Sequence, residues 1–319
     1  MTAPGAPWLV GDIGATNARF ALMSPQRELL HTRIFACRDH PTIEDALALY
    51  LGERGDLPRP HMGALAVAAA VAGDRIAMTN HPWSFSVSAL RARFGFERLE
   101  VINDFTAVAL ALPYLGEKDR LAVGGGSPAA GAPLAVLGAG SGLGVSGLIP
   151  SGGRWIPLTG EGGHATMAPA DQRESALIDH LRRHFDHVSA ERLLSGPGIV
   201  NIYQGLAALS GVPARAYTAA EITDPATGAA DPLCREATTL FCAMLGTMAG
   251  NLALTLGARG GVYIAGGIAP KLGPVFLASP FRERFEAKGR MRRYLAAIPT
   301  YLIVHPFPAF LGCAALLAG

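Results

Sequence analysis

The feature that most constrains this chain is a pattern used twice: an apolar run, a glycine-rich turn and a second apolar run. It occurs as WLVGDIGATNARFALMS over residues 8–24 and again as PLAVLGAGSGLGVSGLIP over residues 133–150. Short apolar runs bounded by small turn residues read as strands, and a supersecondary unit that recurs points to two similar halves. The first copy runs on into ELLHTRIFA, so residues 8–36 hold three β-like runs, as expected of an antiparallel meander. A helical stretch follows over residues 43–51, then an apolar run over 64–71, a second strand over 77–85, a short helix over 87–94 and a strand over 99–103. The order β-β-β-α-β-α-β predicts an α/β domain whose last strand delivers Asn103 and Asp104 at its carboxyl end.

A helix leads away over residues 105–115, and residues 124–133 are rich in glycine and alanine without periodicity, which places a domain boundary nearby. Residues 171–257 read as mostly helical, with breaks at 195–198, 210–213 and 224–231, before a strand over 261–265 and a turn at Gly266 and Gly267. Pattern alone gives the last strand, 301–304, and the last helix, 309–318, no home domain.

At 319 residues the chain is long enough for two domains, each with its own core. A formal net charge of +2 provides no field able to hold nucleic acid or an anionic membrane by electrostatics alone, so a small-molecule partner is expected. Cys37, Cys234, Cys242 and Cys313 form no CxxC pair, which suits free thiols in a reducing compartment, the cytoplasm. No basic region precedes the first apolar run, so no secretion signal is expected. The uncharged run 237–257 imitates a membrane span, with Gly246 and Gly250 at GxxxG spacing. Thr238, Thr239, Thr247, Asn251 and Thr255 dilute it, which predicts a buried core helix instead.

Five constellations carry chemistry. In Gly11-Asp12-Ile13-Gly14-Ala15-Thr16-Asn17, small residues let backbone N–H groups approach an anion, and Thr16 and Asn17 add side-chain donors. A hairpin needs turn residues anyway, but Asp12 does not suit a bare phosphate nest unless a divalent cation or its water bridges the two. Residues 138–144, GAGSGLG, offer a second backbone cradle in Gly138, Gly140 and Gly142 with the Ser141 hydroxyl, again at a strand end. Two such loops, one in each half, suggest a nucleotide held across a cleft, and no GxxxxGK[ST] is present. Gly266 and Gly267 close another apolar strand, either against a nucleoside or as a plain strand-to-helix turn.

Asp104 sits at the mouth of a buried strand. It can cap the following helix, and it can also take the proton from a hydroxyl that attacks a phosphoryl group. Glu161 and His164 lie in TGEGGH, and Glu191 lies downstream; carboxylates, an amide and an imidazole in one pocket suit a polyol, whose hydroxyls both donate and accept. Glu161 as a solvated loop residue and Glu191 as an ordinary first-turn charge are the plain alternatives. His180, His184 and His187 share a helix face, but with Arg182, Arg183 and Asp186 around them and no HExxH they read as surface histidines.

Taken together, LVGDIGATNARFAL, INDFTAVALALPYL, LGAGSGLGVSGL, LTGEGGHATMAPAD and ERLLSGPGIVNIY resemble the bacterial glucokinase family, in order and over nearly the whole chain. The phosphate loops alone would reach only the wider actin-like and hexokinase ATPase group. The resemblance implies two α/β domains of the ribonuclease H-like kind around a central cleft: a small one from residues 1–108 plus 300–319, and a large one from 109–299. It implies a homodimer that binds glucose and ATP, with Mg2+, and transfers the γ-phosphoryl group to the sugar 6-hydroxyl. Residue by residue, it implies Asp104 as general base and Asn103, Asp104, Glu161, His164 and Glu191 around the sugar. It places the ATP phosphates on Asp12, Gly14, Ala15, Thr16 and Asn17 and on Gly138, Gly140, Ser141 and Gly142, with Asp12 toward the metal and Gly266 and Gly267 by the adenosine. Two positions depart from the family pattern: Ala15 stands where glycine is usual and Ser141 where threonine is common. Ala15 would strain its loop only at positive φ. Rival expectations are a kinase for fructose, mannose or an N-acetyl hexosamine, whose family usually carries a cysteine-rich zinc motif not found here, or a sugar-sensing regulator on the same fold. The few residues ahead of the first strand leave no room there for a helix-turn-helix.

Overall fold

The computed structural model describes residues 6–319, which divide into two compact units. The first runs to Gly116 and resumes over His305–Gly319; the second is continuous, Glu117–Val304.

The first unit is built on the expected meander, β1 (Trp8–Ile13), β2 (Asn17–Met23) and β3 (Leu29–Ala36), each antiparallel to the next. Helix α1 (Ile43–Gly52), capped by Thr42, leads to β4 (Met62–Val67), which returns parallel to β1. Thr42 accepts from the Asp45 N–H, so a side chain satisfies one of the N–H groups that a helix start leaves over. The run expected as one strand over 77–85 is instead a small hairpin, β5 (Arg75–Ala77) and β6 (Ser84–Ser86), in a sheet of its own. Pro82 at the centre of that run has no N–H to give a ladder, and the chain turns there. Helix α2 (Val87–Phe94) ends on Gly95 at φ 69°, and β7 (Arg98–Asn103) pairs parallel with β4. The sheet order is β3-β2-β1-β4-β7. Helix α3 (Asp104–Ala111) leaves the end of β7, crossing position 108, so this unit extends through Gly116.

The C-terminal helix, Pro308–Ala318, packs against α3, β1 and β4. Its closest approach is at Gly312, where a Cβ would run into the Ala107 carbonyl of α3. Arg98 donates to the carbonyls of Leu316 and Leu317 and so satisfies the helix's last turn.

The second unit repeats the plan. After the short β8 (Arg120–Ala122), β9 (Leu134–Ala139), β10 (Leu143–Ser151) and β11 (Arg154–Leu158) form an antiparallel meander. Then β12 (Gly261–Ala265) and β13 (Thr300–Ile303) add in parallel, giving the order β11-β10-β9-β12-β13-β8. The central strand β9 is buried on both faces along its whole length, as its unbroken apolar run requires. The last strand, expected with the small domain from 300 onward, therefore belongs to the large unit. It lies between β12 and β8, with Val262 opposite Thr300 and Ile303 opposite Arg120, so both of its edges are paired. Only the helix that follows it returns to the first unit.

Helices α4 (Gln172–Leu181) and α5 (Gly196–Leu209) cover this sheet's core together with the long helix Pro232–Leu256. Ser195, read as part of a break, is the cap of α5 and accepts from the Gly198 N–H. The long helix is the one described helix long and apolar enough to cross a membrane, and most of its apolar stretch is buried inside the second unit. Its Gly246 and Gly250 admit the backbone of a neighbouring helix, Phe281–Glu286, at Phe281 and Phe285. Arg284 and Lys288 reach its polar positions, at Thr247 (2.9 Å) and Asn251 (2.7 Å).

Candidate active site

In the first unit the site residues gather at the carboxyl ends of parallel strands. Ile13 of β1 lies opposite Val67 of β4, and Val67 lies opposite Asn103 of β7, so the Asp12 turn and the Asn103-Asp104 step flank one strand end. Open α/β sheets bind ligands at this edge because backbone polar groups and helix N-termini converge there.

The turn between β1 and β2 closes on itself, the Gly14 N–H donating to Asn17 O at 3.0 Å. Cys37 clamps its back: the backbone N–H donates to Thr16 O at 2.9 Å and the thiol to Gly14 O at 3.4 Å. Among the described residues, the N–H groups of Ala15 and Thr16 donate to no protein acceptor, leaving two donors for an anion. Ala15 does not have positive φ, since Arg27 is the one described non-glycine residue that does. The alanine is therefore unstrained, and Ala15→Gly is expected to change the KM for nucleotide less than about twofold in steady-state assays.

Asp12 is held by a neighbour that sequence reading did not single out. Arg19 on β2 donates from Nη1 to Asp12 Oδ2 at 3.1 Å. Burial pushes the Asp12 carboxyl up from the usual range, and the charge and hydrogen bond of Arg19 pull it back. The available signal was a cation on an otherwise apolar strand, directly across the turn from a carboxylate.

Asn103 and Asp104 divide the work at the start of α3. The cap is Asn103, whose Oδ1 accepts from the N–H groups of Phe105 (2.9 Å) and Thr106 (3.1 Å) while Nδ2 donates to Ala69 O at 3.3 Å. Of the two roles open to Asp104, capping thus falls to Asn103. Asp104 is the first helical residue, and its Oδ1 accepts from the Phe105 N–H at 2.8 Å. Its place in the first turn suits a negative charge, which helix N-termini stabilise.

In the second unit, loop 138–144 joins β9 to β10 with Ala139 opposite Leu143. A Cβ at Gly138 would strike the backbone of Ala265 and Gly266, and one at Gly266, which sits at φ 79°, would strike that of Ala139. Only glycine lets these two strand ends lie side by side, and the loop therefore adjoins the Gly266-Gly267 turn. Among the described residues, the N–H groups of Ser141 and Gly142 have no protein acceptor, so this loop also presents two donors outward.

Glu161 and His164 bracket a 3-10 turn, Gly162–His164, that packs on β10. Both are exposed. The Ala190 N–H donates to Ala165 O at 2.8 Å and Thr166 bridges to Ser189, which holds this segment beside the one bearing Glu191. Glu191 is half-buried and its Oε2 accepts from the Leu143 N–H at 2.8 Å. The structure thus gathers Glu161, His164, Glu191, residues 138–144 and the 266–267 turn in the second unit, and Asp12–Asn17 residues with Asn103 and Asp104 in the first. The His180 and His184 rings lie 5.1 Å apart, while His187 meets Thr166 at 2.9 Å and so supports the Thr166–Ser189 bridge.

Two sheets that share a meander followed by parallel strands, the second with one further strand at its edge, make a fold of the actin/hexokinase type, and the class it belongs to is the sugar kinases. The glucokinase family model matches residues 9–319, and the chain belongs to that family. It is 54% identical to the glucokinase of Paramagnetospirillum magneticum over 97% of each chain. It is 51% identical to the glucokinase of Aromatoleum aromaticum, covering 98% of this chain and 94% of that one. The crystal structure of a glucokinase from an Antarctic psychrotroph superposes with a TM-score of 0.87 at 36% identity, covering 98% of both chains.

Proposed function

We propose that this chain transfers the γ-phosphoryl group of ATP to the 6-hydroxyl of glucose, with Asp104 as general base. The observation that carries the reading is the Asn103-Asp104 step: it stands at the carboxyl end of β7 with Asn103 as the cap and Asp104 in the first turn of α3, where a carboxylate is stabilised as the anion that a general base must be. The glucose O6 attacks the γ-phosphorus, its proton passes to Asp104, and the bond from γ-phosphorus to the bridging oxygen breaks to release ADP. Asn103 has already spent its oxygen and one N–H on the fold, so toward sugar it offers a single donor. Glu161, His164 and Glu191 supply the acceptors and donors for the remaining hydroxyls. The unpartnered N–H groups of Ala15, Thr16, Ser141 and Gly142 receive the phosphates, beside Gly266 and Gly267 for the nucleoside.

The site also suits Mg2+. Arg19 occupies one oxygen of Asp12, and among the described residues no hydrogen bond falls on the other. No described cluster of three or more ligating side chains exists, which fits a cation held mostly by phosphate oxygens and water with one carboxylate nearby. Asp12 would hold that cation, directly or through water, and when bound it would neutralise charge developing on the phosphates. The four cysteines are all buried free thiols, which supports a cytoplasmic enzyme.

A coupled ADP-release assay with Mg·ATP over a hexose panel tests the reading. Glucose is expected to give the highest kcat/KM, at least about tenfold over fructose, mannose and N-acetyl hexosamines, the discrimination open to a site that hydrogen-bonds each hydroxyl. A higher value for any of those sugars would move the chain to a different hexose, and no ADP release with any sugar would favour a sensor.

A further inference from the structure

The ends of the loop 138–144 are tied by the β9–β10 ladder, with Ala139 opposite Leu143 and Gly138 opposite Gly144. Its tip, residues 140–142, is closed by a hydrogen bond from the Gly140 N–H to Gly142 O at 2.8 Å. What braces it is the segment from Glu191 to Gly196. At one end of that segment Glu191 Oε2 accepts from the Leu143 N–H at 2.8 Å, and at the other the Gly196 N–H donates to Gly140 O at 2.8 Å. The brace is itself fixed, because Ser195 Oγ donates to Glu191 O at 2.8 Å while accepting from the Gly198 N–H in the first turn of α5. Contact is tight on the loop side as well: a Cβ on Gly142 would stand 2.5 Å from Glu191 Oε2.

We propose that Glu191 is a positioning residue for the phosphate loop as well as a sugar ligand, acting on the nucleotide through the Leu143 N–H. A carboxylate has acceptor sites on both oxygens, so Oε2 can hold the loop while Oε1 faces a sugar hydroxyl. Without that acceptor the Leu143 N–H loses its partner and residues 141–143 lose the tie that aims the Ser141 and Gly142 N–H groups. The inference rests on the reading of residues 138–144 as a phosphate site.

The two roles separate by substitution. In Glu191→Gln the amide oxygen still accepts from the Leu143 N–H, whereas in Glu191→Ala nothing does. Titration calorimetry with a non-hydrolysable ATP analogue and Mg2+, in the absence of sugar, reads the loop alone. Glu191→Ala is expected to weaken nucleotide binding about tenfold, the loss typical of a hydrogen bond to a charged group, and Glu191→Gln to stay within about threefold of wild type. Over the same pair, the glucose KM is expected to rise at least about tenfold in both variants. Gly142→Ala, which displaces the carboxylate while leaving Glu191 in place, should weaken sugar-free nucleotide binding as Glu191→Ala does. Wild-type nucleotide affinity in both Glu191→Ala and Gly142→Ala, with normal melting curves, would overturn the proposal while leaving the kinase reading intact. Failure of the wild-type protein to bind nucleotide would overturn the reading of the loop and this proposal together. A nucleotide defect in Glu191→Ala alongside inactivity of the wild type on every hexose would support the proposal and remove the glucose reading.

Discussion

Asp104→Asn is expected to lower kcat by roughly 10²–10⁴, the contribution typical of a positioned general base, while moving the glucose KM by less than about threefold. The substitution is isosteric, and the asparagine oxygen can still accept the 2.8 Å bond from the Phe105 N–H. The helix start is secured independently, by Asn103. What the variant lacks is a group that accepts a proton, so the loss should fall on turnover and leave the melting midpoint nearly unmoved. Steady-state kinetics with glucose as the varied substrate, alongside thermal unfolding, separate the two. A kcat within a few-fold of wild type would remove Asp104 from the role of base.

The second large effect is expected far from any ligand, at Gly312→Ala. In a helix interior this change ordinarily gains about 1 kcal/mol from backbone entropy. Here the added Cβ would meet the Ala107 carbonyl, which is backbone and cannot swing aside, so the C-terminal helix and α3 must part. Overpacking of this kind typically costs about 1–3 kcal/mol, and an obstacle made of helix backbone sits at the upper end, so the net sign is destabilising. Chemical denaturation should show a lower midpoint. Because α3 begins at Asp104, a displacement on the order of 1 Å should also lower kcat by up to roughly 10²-fold. Gly52→Ala is the control, since a Cβ there meets nothing within 4 Å and φ is not positive. Equal midpoints for Gly312→Ala and Gly52→Ala would show that the close helix contact is not as described.

Much of this was legible in the sequence. Both meanders, both glycine turns and the Asn103-Asp104 step are local features, and strand period and turn residues mark them within a few positions. The recurrence of the meander foretold two sheets of one plan. What escaped were facts about partners. The pattern of residues 300–303 identifies a strand but carries no information on which sheet will take it, and pairing with β8 and β12 decides that. The hairpin β5-β6 read as one strand although Thr79-Asn80-His81-Pro82 interrupts the apolar residues there, a turn signal that was present in the sequence. Asn103 and Asp104 are equally good caps on paper, and only backbone geometry assigns the task to Asn103. The Arg19–Asp12 pair follows from the register of the β1–β2 hairpin, but the Glu191–Leu143 bond joins residues 48 apart along the chain, and no spacing rule reaches across that gap.

The return of the C-terminal helix to the first unit has a consequence for how the protein is made. The second unit is one continuous stretch and can complete its core once Val304 has emerged from the ribosome. The first unit cannot, because the face of β1 and β4 that Phe310, Cys313 and Ala314 help to bury stays uncovered until the helix Pro308–Ala318 has emerged as well. The half that bears Asp104 is therefore synthesised first and finished last. Over that interval its apolar sheet is the surface that a nascent-chain chaperone has most reason to cover.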